Sequence, residues 1–168
     1  MSDTPVSVVD SAALRAVMSN FCTGVAVVTA WDGTQPLGFT CQSLVSVSLE
    51  PPLVSFCPAK SSTTWPRIRP LERLCINVLA HDQRDLCLSF AKSGAEKFDG
   101  IEWSAGGNGA PELHGALAYV EATVVAEHEA GDHTIVVAEV TDLRTHVSDA
   151  PLVFFRGEFG LPDPLQAR

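Results

Sequence analysis

Gly38-Phe39-Thr40-Cys41-Gln42-Ser43-Leu44-Val45-Ser46-Val47-Ser48-Leu49-Glu50-Pro51-Pro52-Leu53-Val54-Ser55-Phe56-Cys57-Pro58-Ala59-Lys60-Ser61-Ser62-Thr63-Thr64 is the stretch on which the fold turns. Its two short apolar runs, 44–49 and 53–57, are flanked by small hydroxyl-bearing and turn-forming residues, the pattern of paired strands with donors at their ends. The second run leads into Lys60-Ser61-Ser62-Thr63-Thr64, a cationic, hydroxyl-rich segment able to open a helix. Unpaired backbone N–H groups, hydroxyls and a lysine together suit a phosphate. The stretch is expected to cradle a flat, phosphorylated ligand.

Upstream, residues 25–31 are β-rich, Asp32-Gly33-Thr34-Gln35-Pro36 supplies turn chemistry, and 37–39 begin the return strand of a hairpin. Residues 10–18 read as a helix capped by Asp10 or Ser11, with Leu14, Val17 and Met18 at helical spacing, expected to pack on the sheet. Downstream, 65–68 complete a helical turn or two, with Pro66 tolerable only in the first turn and Pro70 ending the segment. Residues 74–80 are apolar on both faces, as in a central strand. Asp82 can cap a helix running to Phe90, 92–100 read as loop with a short helix, and 104–112 as a surface loop rich in Gly and polar residues. Two long strands over 117–125 and 134–143 and a last strand over 151–155 follow.

Seven or more strands and two or three short helices, without βαβ alternation, predict a mainly β fold: a closed or nearly closed antiparallel barrel with peripheral helices. No Gly-x-Gly-x-x-Gly follows a strand and no Gly-Lys-Ser/Thr phosphate loop occurs, so a doubly wound nucleotide-binding sheet is not supported. The 168 residues fit one domain over 1–168, with a core of about 10–160 and short tails. A formal charge of −9 argues against nucleic acid or an anionic membrane as partner. No apolar run approaches the ~20 residues of a membrane span, and the N-terminus lacks a basic region followed by an apolar one, so a cytoplasmic location is expected. Five cysteines (Cys22, Cys41, Cys57, Cys75, Cys87), odd in number and without Cys-x-x-Cys spacing, disfavour disulfides and a structural zinc, and no metal site is predicted.

The order of motifs resembles a known family. The pieces are Phe21-Cys22-Thr23-Gly24-Val25-Ala26-Val27-Val28-Thr29, Gly38-Phe39-Thr40-Cys41-Gln42-Ser43, Ser46-Val47-Ser48-Leu49-Glu50-Pro51-Pro52-Leu53-Val54, Ser62-Thr63-Thr64, Asn77-Val78-Leu79, Phe90-Ala91, Lys97-Phe98, Gly131-Asp132-His133, and Pro151-Leu152 through Arg156-Gly157. Each alone is weak, but in this order over about four-fifths of the chain they are similar to the small flavin reductases of two-component monooxygenases. The resemblance implies the FMN-binding split-barrel fold, a Greek-key antiparallel barrel. It further implies a homodimer, hydride transfer from NADH to exchangeable FAD or FMN (FAD slightly favoured), and release of reduced flavin to a separate monooxygenase component.

By that resemblance, Thr40, Cys41, Gln42 and Ser43 meet the flavin ring edge, where N–H donors suit carbonyls and ring nitrogens that gain charge on reduction. Lys60, Ser62 and Thr64 correspond to the phosphate and ribityl segment, and Lys97 to a cation reaching the tail from another loop. Cys57, Phe90, Ala91 and Phe98 are expected beside the flavin. Without the resemblance, Ser62 and Thr64 read equally as helix caps, the lysines as solvated charges, and the aromatics as core. His133 is assigned the catalytic position, orienting the nicotinamide or the flavin edge, with Asp132 fixing its tautomer or forming the turn. His81, His114, His128 and His146 are assigned to loops or surface.

The sequence departs from the family in two places. Phe155 stands before Arg156 where many relatives carry His, so Phe155 can stack but not hydrogen-bond, leaving Arg156 for dinucleotide phosphate. Cys41 and Gln42 replace the more usual Ala and Asn or Ser. Two alternatives remain on the sequence alone: a split-barrel oxidase or oxygenase with tightly bound flavin, and a non-catalytic flavin- or haem-binding module.

Overall fold

The computed structural model of the protein describes residues 9–94, 96–146 and 150–160. The short terminal tails expected from the sequence lie almost entirely outside these residues. A first helix, α1 (Ser11–Met18), precedes β1 (Thr23–Gly24), β2 (Ala26–Trp31), β3 (Pro36–Cys41), β4 (Val45–Leu49) and β5 (Pro52–Phe56). Then come α2 (Trp65–Ile68) with a 3-10 turn (Arg69–Leu71), β6 (Arg73–Val78), α3 (Arg84–Ala91), β7 (Trp103–Ala105) and β8 (Pro111–Leu113). The described chain ends with β9 (Ala118–Ala130), β10 (His133–Thr145), β11 (Val153–Phe155) and β12 (Glu158–Phe159).

Seven strands make one sheet in the order β3-β2-β6-β9-β10-β5-β4, with every pair antiparallel. Turn chemistry sets the β2–β3 hairpin: Asp32 Oδ1 accepts from the N–H groups of Thr34 and Gln35, both at 2.9 Å. The β9–β10 hairpin turns at Gly131-Asp132, where Gly131 has φ 64°, and register shifts at Val137/Ala138 and Val140/Asp142 let these long strands bend. The mainly β split-barrel architecture expected from the sequence is the one found.

Strand β2 shows how two clusters arise from one apolar run. Ala26, Val28 and Ala30 face inward with Phe39, Phe56, Trp65, Leu74, Ile76 and Val136. Val25 and Val27 face outward, where α3 covers them with Cys87 and Phe90 alongside Leu79, Leu113 and Leu152. The period of two thus survives in a strand buried on both faces.

Hydrogen bonding does not close the barrel among the described residues, because β3 and β4 are the two edges of the sheet. They are consecutive in the chain, so residues 42–44 cross the gap. Side chains bridge the seam from within: the Phe39 and Phe56 rings lie 6.2 Å apart and each meets Trp65 edge-on. The Cys57 N–H donates to Ser43 Oγ at 2.8 Å across the same opening.

Several sequence expectations are corrected. Asp10 does cap α1, accepting from the Ala13 N–H at 2.8 Å, but the helix does not pack on the barrel: none of its residues is buried, and Leu14, Val17 and Met18 are each more than half exposed. The stretch 104–112 is not a surface loop but most of a hairpin, β7–β8, in which Pro111, Glu112 and Leu113 are buried. Asn77 anchors it, accepting from the Leu113 N–H at 2.8 Å while donating to Val27 O and Thr29 Oγ1. Helix α3 begins at Arg84, because Gln83 is engaged beforehand, accepting from the Ala80 N–H and donating to His114 O. His128, assigned to loops or surface, is exposed and lies on β9.

Candidate functional site

The seam of the barrel opens into a cleft of about 940 Å³. Residues 39–43 at the end of β3 form its floor. Residues 57–59 and 61–64, after β5, form one wall; residues 90–93 at the end of α3, with Lys97, form the other; His133 and Met18 complete the lining.

On the floor, side chains named by sequence are engaged within the protein. Thr40 Oγ1 donates to Cys87 O at 2.7 Å, tying β3 to α3. Ser43 Oγ accepts from the Cys57 N–H and lies 3.3 Å from Cys41 Sγ. Burial pushes the Cys41 thiol above its usual range. The exposed Gln42 keeps a backbone N–H without an intramolecular acceptor among the described residues, which suits it to a ligand carbonyl.

Along the first wall, Ser62 Oγ accepts from the N–H groups of Thr64 and Trp65 at 3.3 and 3.1 Å, capping the entry to α2. The N–H groups of Ser61 and Thr63 have no intramolecular acceptor among the described residues, so a phosphate could take them. Opposite, Lys97 Nζ lies 3.1 Å from Gly38 O, 3.0 Å from Thr64 Oγ1 and 3.2 Å from Phe90 O, and burial lowers its pKa. Lys92, at the rim, carries no ion pair among the described residues.

His133 stands at the cleft because residues 58–60 are spliced onto the start of β10. Thr134 N–H donates to Pro58 O at 3.0 Å, Lys60 N–H donates to Asp132 O at 2.9 Å, and Ala59 forms a bridge with His133. His133 Nδ1 lies 2.8 Å from Asp132 Oδ1, and this hydrogen bond holds the Asp132 carboxyl below its ordinary range. With Nδ1–H donating to the carboxylate, Nε2 remains for a ligand.

Thr40, Cys41, Gln42, Ser43, Cys57, Ser62, Thr64, Phe90, Ala91, Lys97 and His133 therefore share one cleft. Lys60, Phe98, Asp132, Phe155 and Arg156 do not line it. Lys60 turns outward to pair with Glu129. Phe98 lies behind the wall, 4.8 Å from Phe90 and 6.1 Å from Trp103 between ring centroids. Arg156 stacks over Phe155 at 5.0 Å and donates from Nε to Asn20 Oδ1, where β11 pairs with β1. The sequence reading gave the segment 60–64 to the phosphate without naming Ser61 or Thr63 individually, and did not single out Met18, Phe39, Pro58, Ala59, Lys92 or Ser93. Proximity to named residues could have found all but Met18, whose helical spacing pointed to packing instead.

An antiparallel barrel opened along one seam, with its cleft at that seam, defines a small split barrel. The chain belongs to the flavin reductase like domain family, whose model matches residues 18–161. It is 40% identical over 151 residues to the reductase subunit HsaB of a flavin-dependent monooxygenase from Rhodococcus jostii (strain RHA1), covering 90% of this chain and 77% of that protein. With the FMN reductase (NADH) SmoA of Agrobacterium fabrum (strain C58 / ATCC 33970) it shares 43% identity over 152 residues, covering 90% and 86%. Among solved structures, nitrilotriacetate monooxygenase component B from Mycobacterium thermoresistibile superposes with a TM-score of 0.87 at 37% identity, covering 95% of this chain and 90% of the other. The Streptomyces globisporus NADH:FAD oxidoreductase SgcE6 gives 0.85 at 35% identity, covering 97% and 95%.

Proposed function

We propose that the protein is an NADH-dependent flavin reductase that passes reduced flavin to a separate monooxygenase. The observation that carries this reading is one cleft joining unpaired N–H groups at residues 42, 61 and 63 with His133. Its size is near the upper end of small-molecule sites, about 300–1,000 Å³, which leaves room for a nicotinamide over a flavin. The flavin supplies an acceptor, N5, for the hydride leaving nicotinamide C4.

The chain's own residues bind, orient and exclude. The Gln42 N–H meets the ring edge, the Ser61 and Thr63 N–H groups meet the phosphate, and Phe90 and Ala91 pack against the flavin. His133, its ring fixed by Asp132, steers the nicotinamide through Nε2 without needing to move a proton. Relatives whose names specify NADH support that donor over NADPH. Beyond Lys92, Ser93 and Lys97 the cleft adjoins a second basin of about 460 Å³, which supports FAD slightly over FMN because its adenosine half needs such a space. A homodimer in the cytoplasm completes the reading, supported by the unburied apolar face of α1 and by the family resemblance.

NADH oxidation measured with and without added FAD or FMN tests the proposal. Oxidation that depends on free flavin is expected; oxidation without flavin, or none with either flavin, rejects it.

A further inference from the structure

We propose that Lys97 is a clasp that sets the width of the cleft, and that Lys92 is the cation that meets the flavin phosphate. This rests on the flavin-reductase reading and assigns separate tasks to two lysines of the same wall.

An ammonium group has three N–H donors. Those of Lys97 have three acceptors already: Gly38 O, Thr64 Oγ1 and Phe90 O, at 3.1, 3.0 and 3.2 Å. The acceptors come from three different parts of the cleft: β3, the residue before α2, and the last turn of α3. Phe90 O is among the terminal carbonyls that a helix leaves without an internal partner, and a cation there also complements the helix dipole. At this point the floor and the helical wall touch. A Cβ on Gly38 would lie 2.7 Å from Phe90 Cε1, and Thr40 Oγ1 holds Cys87 O one turn earlier. For Lys97 to donate to a phosphate it would have to release one of these partners and leave a partly buried oxygen unsatisfied. Lys92 has no such commitments. It is exposed, immediately follows α3, and lines both the cleft and the adjoining basin.

Titration of the whole protein with riboflavin, which lacks the phosphate, and with FMN separates the two roles. Lys97→Met is expected to weaken both ligands by the same factor, about tenfold or more, as befits a wall that has lost its spacing. Lys92→Ala is expected to weaken FMN by about fivefold or more while leaving riboflavin unchanged. If Lys97→Met does not fold, Thr64→Val carries the test, since it removes one of the clasp's acceptors and must weaken riboflavin as well as FMN. Where both fold, combining them should add little to either alone. A loss confined to FMN in Lys97→Met makes Lys97 the phosphate ligand and overturns the clasp. A role in folding alone would lower the melting temperature without changing the riboflavin affinity of the folded protein, and that result also overturns it. Unchanged FMN affinity in Lys92→Ala overturns the role of Lys92. Wild-type protein that binds neither ligand overturns the flavin reading and the clasp with it, an outcome distinct from a wild type that binds both.

Discussion

At the scale of single residues, the cleft separates what a side chain is from what it is already doing. Thr40, Ser43, Ser62 and Lys97 are among the donor-bearing residues that the sequence marks for a ligand, yet each of these four is bonded within the protein. Residue type was therefore legible and partner was not, because partners such as Cys87 O and Gly38 O are main-chain atoms that no side-chain pattern announces. His133 is different: its Nδ1 is committed to Asp132 and its Nε2 is not. Replacing His133 with Ala should slow hydride transfer by about ten- to a hundredfold, the cost of a misplaced donor ring, while flavin affinity changes little. Stopped-flow reduction of bound flavin measures this, and an unchanged rate would remove His133 from the reaction. Ser62→Ala should weaken flavin binding by roughly 1–3 kcal/mol, because it frees the N–H groups of Thr64 and Trp65 and loosens the wall that carries Ser61 and Thr63. An unaltered flavin titration would place the phosphate elsewhere.

Among the elements, hairpins carried by period-two apolar runs were the readable part, and β2–β3 and β4–β5 fall where their patterns put them. The stretch 104–112 misled because Gly, Asn and Pro there look like loop composition while the structure folds them as a hairpin over charge, burying Pro111. Glu121 accepts from the N–H groups of Gly107 and Asn108 at 2.6 and 2.8 Å, and Arg144 pairs with both Glu121 and Glu112. Such a cluster, two buried carboxylates beneath an exposed arginine, depends on strands far apart in sequence, so no local pattern encodes it. Gly106 is the residue that lets β7–β8 close over it, since a Cβ there would lie 2.7 Å from both Glu112 Oε1 and Glu121 Oε1. Gly106→Ala should destabilise the protein by about 1–3 kcal/mol through overpacking, read as a lower urea midpoint at unchanged slope. A wild-type midpoint would mean that the carboxylates move aside freely.

For the molecule as a whole, two carboxyls tilt stability with pH in opposite directions. The N–H of Gln35 and the hydroxyl and N–H of Thr34, aided by Arg67, hold Asp32 down to about 2 from an ordinary value of 3.8. Its folded pKa lies below its unfolded one, so its contribution is complete above the ordinary value and is lost as pH falls towards 2. Burial pushes Glu112 upward despite Arg144, so its contribution is complete below the ordinary carboxylate range and is lost as pH rises through the raised value. Urea midpoints followed across acid pH should therefore decline more gently in Asp32→Asn on the acid side and in Glu112→Gln on the neutral side; parallel curves for variant and wild type would refute the assignment.

The homodimer proposed above would be built around α1. Leu14, Val17, Met18 and Phe21, spaced as one helical face continued beyond its end, are 55%, 68%, 54% and 69% exposed, a run of large apolar side chains that water disfavours. The edge strand β4 adds Val45, Val47 and Leu49, also exposed, on a sheet margin open to further pairing. A second copy of the chain would cover such surfaces, and Met18 belongs both to the helical face and to the cleft. Assembly and flavin binding should consequently be coupled: what moves α1 also moves a wall of the site. Val17→Glu puts a charge on that face without touching the cleft lining. Sedimentation velocity should show a dimer for wild type and a monomer for Val17→Glu, and the variant's flavin affinity should fall several-fold and recover as its concentration is raised towards reassociation. A wild type that sediments as a monomer would disprove the dimer, and a monomeric variant with wild-type flavin affinity would show that α1 and the cleft act independently.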